Sequence, residues 1–342
     1  MGASDPGTVG IIYTGGTFGM VPSEHGYQPS NDLPARVDAA LAEGTHDALP
    51  ALRWLEHDAG PPINSSDITP AFWYRLAETI RAHRDVHRGF VIIHGTDTLA
   101  YTGAALSFLL ADLDRPVIVT GARAPLGENN SDALANLAGA LQAAADGERC
   151  ECLVAFAGRL LRANRTSKRY GSREHVFASP NEDPVGHFDS GLQWTSVAPP
   201  PGGALPRATE HTREVVLLPI FPGIRGDLVR GLVDRGVAAI LLEAYPAGVG
   251  PGGDADFVDA IRAATHAGVL VAAVPQSQHG SIQLGRYASS TPLAEAGILT
   301  GGDMTREAAL AKLHWLLGTG LDPDAVARRF MQNLRGELAA PV

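Results

Sequence analysis

The pattern that most limits what this chain can fold into is an alternation of short apolar runs with helical stretches. "VGIIYT", "GFVIIHG", "RPVIVTG" and "ECLVAFAG" are continuous apolar runs of strand length, as expected of strands buried on both faces. Between them lie "TPAFWYRLAETIRAHRD", with Thr69 and Pro70 placed as N-cap and first helical residue, and "DTLAYTGAALSFLLADL". A third helix over "SDALANLAGALQAAADG" should close on Gly147. Strand–helix alternation of this kind predicts a mainly parallel sheet with helices on both faces.

The alternation breaks once. From Thr195 to Arg213, "TSVAPPPGGALPRATEHTR" is rich in Pro and Gly and has no periodic apolar face, so it reads as a linker. Beyond it "EVVLLPI", "DLVRGLVDRG", "VAAILLEAY", "DFVDAIRAATHAG" and "VLVAAVPQ" resume the pattern. Two terminal helices follow, the second opened by Asp322 and Pro323. The expected class is α/β, with two Rossmann-like domains and mainly parallel sheets. The larger N-terminal domain spans residues 1–194, the linker 195–213, and the smaller C-terminal domain 214–342. A chain of 342 residues is long for one core, which agrees with this division.

Composition narrows the function classes. The formal net charge is -10 and no basic cluster tracks along a helix, which argues against a nucleic-acid partner. No apolar run approaches the roughly 20 residues of a membrane span. The opening "MGASDPGTVG" lacks the basic region of a signal peptide and the Ser/Thr expected for myristoylation. Only two cysteines occur, Cys150 and Cys152 on either side of Glu151. Neither a disulfide between them nor a shared metal is expected, and a reduced, cytoplasmic protein is the simplest reading.

Parallel sheets bind ligands beyond the carboxyl ends of their strands. The loops to inspect are therefore "TGGTFG" after the first strand, "HGTDT" after "FVII", and "LGENNSD" after "VIVTGARAP". The first is not a dinucleotide fingerprint, because Gly15 and Gly16 are adjacent. No phosphate loop, G-x-S-x-G elbow or HExxH motif is present. His83 and His87 lie four apart on a predicted helix beside Arg84 and Arg88, and read as a solvated face rather than a metal site. What remains is threonine chemistry. Thr17 and Thr96 each follow a glycine at a strand end, and a threonine hydroxyl needs a base or polarising partner to act as a nucleophile. Asp97 is one such group. On the residues alone a second reading stays open, in which both threonines satisfy caps or turns and Asp97 is a helix N-cap.

The combination of motifs is more specific than its parts. "YTGGTFGM", "GYQP", "NSSDITP", "FVIIHGTDTLAYTGAALSF", "RPVIVTGARAP", "RANRTSK", "FASPN" and "QNLRGEL" together resemble the bacterial L-asparaginases, above all their cytoplasmic type I group. The resemblance runs over nearly the whole chain. It implies a cofactor-independent, metal-free amidohydrolase that converts L-asparagine to L-aspartate and ammonia. By resemblance Thr17 matches the nucleophile and Tyr27 its activating partner on a mobile flap. Thr96, Asp97 and Lys168 match a hydroxyl–carboxylate–ammonium relay. Ser65 and Ser66 match the grip on the substrate α-carboxylate, Asp97 also the holder of the α-ammonium, and Ala122 a carbonyl that takes the side-chain amide. The resemblance further implies a homodimer or homotetramer.

The chemistry is coherent. A zwitterionic amino acid needs neutral donors for its carboxylate and an anion for its ammonium. Gly15, Gly16 and Gly95 would leave main-chain N–H groups for a developing oxyanion, an effect worth roughly 3–4 kcal/mol in other hydrolases. The segment "GMVPSEHGYQPSND" suits either a lid or a plain surface loop in which Tyr27 packs. Two departures from the family stand out. The turn "YPAGVGPGG", Tyr245 to Gly253, lacks the asparagine that reaches a neighbouring subunit's site. Gln276-Ser277 stands where some type I enzymes carry a Gln-Cys pair at a regulatory site. Competing readings are a glutaminase-asparaginase, a non-catalytic amino-acid sensor on the same fold, and an unrelated nucleotide-binding module.

Overall fold

The computed structural model describes residues 7–43, 49–171, 175–196 and 205–339. The opening residues 1–6, read above as lacking a leader, and residues 197–204 of the linker lie outside the described residues. The chain divides into two compact units, Met1–Ala204 and Leu205–Val342.

In the first unit the strands β1 (Val9–Tyr13), β2 (Met20–Ser23), β3 (Gly26–Pro29) and β4 (Leu52–Trp54) come early, with helix α1 (Leu33–Glu43) between the last two. Helices α2 (Pro70–Ala82), α3 (Leu99–Leu109) and α4 (Ala133–Asp146) then alternate with β5 (Gly89–Ile93), β6 (Val117–Thr120) and β7 (Cys152–Phe156). Five short strands follow: β8 (Arg159–Arg162), β9 (Ser167–Lys168), β10 (Phe177–Ala178), β11 (Gly186–His187) and β12 (Gln193–Trp194).

The main sheet has the order β12-β11-β8-β7-β6-β5-β1-β4. Its core from β4 to β7 is parallel, and β8, β11 and β12 extend it antiparallel. All residues of β1, β5, β6 and β7 are buried, which is why these strands read as unbroken apolar runs. One face packs Val9, Ile11, Val91 and Leu153 against Val37 of α1 and Leu137 of α4. α3 is buried all round except at Tyr101, so its sequence shows little amphipathic contrast.

Local signals account for the helix ends unevenly. α4 closes on Gly147 in the left-handed conformation, φ 76°. Pro70 opens α2, but Thr69 at its N-cap makes no side-chain capping bond. α2 also ends at Ala82, so His87 is not on the helix. The solvated-face reading of the two histidines fails: His87 is 1% exposed and shares a 3.0 Å hydrogen bond with Thr8 Oγ1. Burial lowers its pKa.

Strand alternation would place Cys150 and Cys152 on one face. β7 begins only at Cys152, however; Cys150 is exposed and Cys152 buried, and no disulfide joins them. The stretch around Tyr27 is neither a helix nor an irregular loop. β2 and β3 form an antiparallel hairpin of their own, with Pro22 opposite Tyr27.

The second unit is a parallel sheet of β13 (Val215–Pro219), β14 (Ala239–Ala244), β15 (Leu270–Pro275) and β16 (Leu299–Thr300), in that order. Helices α5 (Gly226–Asp234), α6 (Ala255–His266) and α7 (Thr291–Glu295) connect these strands. Helices α8 (Arg306–Leu317) and α9 (Pro323–Phe330) close the unit. Thr305 caps α8 by accepting from Ala308 N–H, and Asp322 caps α9 as the sequence suggests, accepting from Ala325 N–H.

Inside this unit lies a fully buried ion pair. Lys312 Nζ on α8 stands 2.5 Å from Glu337 Oε1, both side chains 0% exposed. The ammonium also donates to the carbonyls of Phe330 and Gln332, at 2.8 and 2.5 Å. Glu337 accepts from the N–H groups of Leu334 and Arg335. The pair fastens the terminal "QNLRGEL" segment to α8 with its hydrogen bonds satisfied.

No helix among the described residues is long and apolar enough to cross a membrane.

Candidate active site

In the first sheet β1 lies between β4 and β5, and the chain continues from β5 outward through β6 and β7. The strand order therefore reverses at the β1–β5 boundary, the place where open α/β sheets form a crevice. The loops after these two strands meet there. A Cβ built on Gly16 would fall 2.2 Å from Gly95 Cα, and one on Gly95 would fall 2.7 Å from Ser65 Oγ. Gly16 also has φ 85°, in the left-handed region. A side chain at Gly16 would push the Thr17 and Thr96 loops apart. The glycines serve first to let two backbones touch.

The third loop joins the same cluster. Gly15 bridges to Ile63 in parallel fashion, and Ile63 N–H donates to Thr14 carbonyl at 3.0 Å. Ser65 is 4% exposed, Ser66 exposed. Thr98 Oγ1 donates to the Ser65 carbonyl at 2.7 Å, fixing this turn against the start of α3.

Thr17 opens a short 3-10 turn, Thr17–Gly19, and is partly exposed. It is not the cap of that turn; Gly16 holds the N-cap position. Nor is Asp97 the N-cap of α3, a position taken by Thr98. Instead Lys168 on β9 donates to Asp97 Oδ1 at 2.7 Å and to Thr96 Oγ1 at 2.9 Å. The lysine side chain is 22% exposed and that of Asp97 71%. This is a half-open triad, with ammonium bonded to both hydroxyl and carboxylate. Among the described residues nothing occupies Asp97 Oδ2.

Beneath this loop sits His94, 0% exposed, its Nδ1 2.7 Å from the Gly95 carbonyl and its Nε2 without a hydrogen bond among the described residues. Burial pushes its pKa down to about 4, so the ring is neutral near pH 7 and Nδ1 carries the proton given to Gly95.

Ala122 is 1% exposed and follows β6. Its neighbour Gly121 accepts from Asn136 Nδ2 at 2.9 Å, while Asn136 Oδ1 accepts from Ala157 N–H. Asp132 accepts from the N–H groups of Arg123 and Ala124. The loop after β6 is thus held by side chains from the start of α4.

Tyr27 is 53% exposed, so it is not a packing residue. Its hydroxyl donates to Glu128, not to Thr17, and this carboxylate raises the phenol's pKa. Arg36 of α1 donates to the carbonyls of Gly19 and Leu126. Nothing in the spacing singles out Arg36 or Glu128, whose partners lie 90 and 101 residues away in sequence.

The described residues hold no cluster of three or more His, Cys, Asp or Glu that could take a metal. In the second unit the turn after β14 puts Ala247 at φ 61°, and Gln276 Nε2 donates to the Ile220 and Glu243 carbonyls.

Comparison with known proteins gives this geometry a family. The model of the asparaginase N-terminal domain matches residues 8–199, and that of the glutaminase/asparaginase C-terminal domain residues 214–330. L-asparaginase 1 of Escherichia coli K12 is 40% identical over 96% of this chain and 97% of its own. The human 60 kDa lysophospholipase is 34% identical over 96% of this chain, which spans 61% of that protein. The crystal structure of L-asparaginase I from Vibrio cholerae superposes with a TM-score of 0.86 at 34% identity, covering 97% of this chain and 99% of that one. With both family models matched and a 40% identical relative covered almost end to end, the chain belongs to the asparaginase family.

Proposed function

We propose that the protein hydrolyses L-asparagine to L-aspartate and ammonia without a cofactor, and that Thr17 is the nucleophile. The observation that carries this reading is the Lys168 ammonium bonded to both Thr96 Oγ1 and Asp97 Oδ1 beside the Thr17 loop. The full-length likeness to L-asparaginase 1 supports the substrate.

In this reading the α-carboxylate of asparagine is held by Ser65, Ser66 and main-chain N–H groups near Gly16 and Gly95. Its α-ammonium takes Asp97 Oδ2, and its side-chain amide faces the Ala122 carbonyl. Thr17 Oγ1 attacks the amide carbon as its proton passes to the Tyr27 oxygen and the Tyr27 hydroxyl proton passes on to solvent water. Because Lys168 donates to Thr96, the Thr96 hydrogen is free to reach the leaving amine, and Thr96 recovers a proton from the lysine. Ammonia departs, leaving an acyl ester on Thr17. Water then attacks the ester carbon, its proton passing through Thr96 to the neutral Lys168 amine, and aspartate is released as a proton returns through Tyr27 to the Thr17 oxygen.

The sequence around Ala247 has no asparagine, so a broader amidase that also takes glutamine is the second reading. Self-association into a homodimer or homotetramer belongs to the same proposal, as does a cytoplasmic location.

The test is ammonia release from L-asparagine and from L-glutamine by the purified protein beside Thr17→Ala. Release from asparagine, lost by about 10⁴-fold in the variant, is the expected outcome. Equal release by the variant would remove Thr17 from the chemistry, and none from folded wild type would return the weight to an amino-acid sensor.

A further inference from the structure

The β2–β3 hairpin stands apart from the main sheet, and most of its residues are partly or fully exposed. A two-stranded hairpin is marginal in water by itself, so what fixes it matters. Among the described residues its tip is tied only internally, Ser23 Oγ donating to the Gly26 carbonyl and accepting from His25 N–H. Its root is held firmly. Gly19, just before β2, has its carbonyl on Arg36 Nη1 at 3.1 Å, and Arg36 Nη2 reaches the Leu126 carbonyl at 2.7 Å. Leu126 N–H donates to the Phe18 carbonyl at 2.9 Å.

These bonds join the Thr17–Gly19 turn to the loop after β6, which Asp132 and Asn136 already anchor. Glu128 stands on that anchored loop, where its N–H donates to the Pro125 carbonyl and its carbonyl accepts from Ser131 N–H. Among the described residues, the one side-chain hydrogen bond from the hairpin to the rest of the chain is Tyr27 to Glu128. A closed ring results: the Thr17 turn, the hairpin, Tyr27, Glu128, Leu126, and back to Phe18. Every link but one is covalent or tied to the main chain.

We propose that Glu128 is a positioning residue, a fixed carboxylate that docks the hairpin by its Tyr27 hydroxyl and so sets where that hydroxyl stands relative to Thr17. The firm partner is Glu128 and the dependent one is Tyr27. An exposed contact of this kind breaks readily, which lets substrate in and out while the root stays put. The bond also has a pH signature. The phenol is docked in its neutral form, and a docked pKa raised above 10 means docking persists through the usual phenol range and is lost as pH rises through the raised value.

The hairpin leg of the test does not depend on what the enzyme turns over. A glutamate-specific protease reads exposure of the Glu24–His25 bond in wild type, Glu128→Ala, Glu128→Gln and Tyr27→Phe. Glu128→Ala and Tyr27→Phe should be cut roughly three- to tenfold faster than wild type. Glu128→Gln, which keeps a carbonyl acceptor, should fall between. In spectrophotometric titration Glu128→Gln should also move one phenol of the protein back toward 10.

The kinetic leg rests on the function proposed above. Glu128→Ala should lower kcat for asparagine several-fold more than it raises KM, with partial rescue in Glu128→Gln. Unchanged cleavage and unchanged phenol titration in Glu128→Ala would overturn the proposal, whatever the activity. Faster cleavage in a protein that releases no ammonia would uphold the docking and sink the asparaginase reading alone.

Discussion

Two lysine–carboxylate pairs in this molecule have nearly the same geometry and opposite surroundings. Lys168 and Asp97 meet at 2.7 Å with side chains 22% and 71% exposed; Lys312 and Glu337 meet at 2.5 Å with both at 0%. The first ammonium divides its bonds between a carboxylate and a hydroxyl, and among the described residues a carboxylate oxygen is left open. The second spends all of its donors on partners inside the fold. A buried pair with every bond satisfied holds chain to chain. A half-open pair with unspent capacity can act on something that arrives. Distance does not separate the two cases; the remaining hydrogen-bonding capacity does.

That contrast can be broken most forcefully at the open pair. Lys168→Met should lower ammonia release by roughly 10³-fold, since it removes the donor that polarises Thr96. Its denaturant midpoint should stay close to wild type, because the Asp97 carboxylate left behind is 71% exposed and solvated. A large loss of stability with kcat intact would mean the two pairs had been assigned the wrong way round.

The closed pair should answer in the opposite sense. Lys312→Met leaves Glu337 buried without its ammonium, a change that costs about 3–5 kcal/mol in comparable pairs. Denaturant unfolding should show it, while kcat per folded molecule is unchanged. Adding Glu337→Leu should recover most of the loss, since replacing both members of a buried pair by apolar groups is often neutral. Failure of the double variant to recover would show that Glu337's bonds to Leu334 and Arg335 N–H outweigh the ion pair itself.

A smaller effect sharpens the comparison through pH. His94 is a neutral base with its pKa depressed to about 4 by burial. The unfolded chain binds a proton near 6.5 that the folded chain refuses. Stability from keeping the ring neutral is therefore complete above about 6.5 and drains as pH falls toward 4, by up to about 1.4 kcal/mol per pH unit. Unfolding curves at pH 7, 6 and 5 should show this slope, reduced in His94→Gln. His314 in the second unit, also depressed to about 4 by burial, should leave a matching slope in both proteins. An unchanged slope in His94→Gln would mean that His94 is not the proton-linked group.

The sequence displayed one of the two pairs and hid the other, for physical reasons. Thr96, Asp97 and the Thr17 loop sit directly after runs whose burial on both faces is written in their composition, so strand ends could be located to within a residue or two. Lys168 came with them only through the "RANRTSK" motif, since its two-residue strand is too short to show any period. Lys312 lies in a helix buried on all sides, where a lysine looks like solvent-facing punctuation until its partner 25 residues on is seen. His87 misled in the reverse direction. Its flanking arginines suggest a wet helix face, but the helix has ended and the ring turns inward. The β2–β3 hairpin was masked by Pro22 and Gly26, which interrupt any strand alternation, and Glu128 by standing in an ordinary polar loop.

The contact between Gly16 and Gly95 has one more consequence. Two main chains lie closer there than any side chain would permit, so the gauge of the cleft is set by bare α-carbons. Hydroxyl groups held on either side of such a contact keep their separation as a mason keeps courses level, by the thickness of the joint. Sequence drift elsewhere in these loops can alter what the cleft admits while leaving that separation where it is.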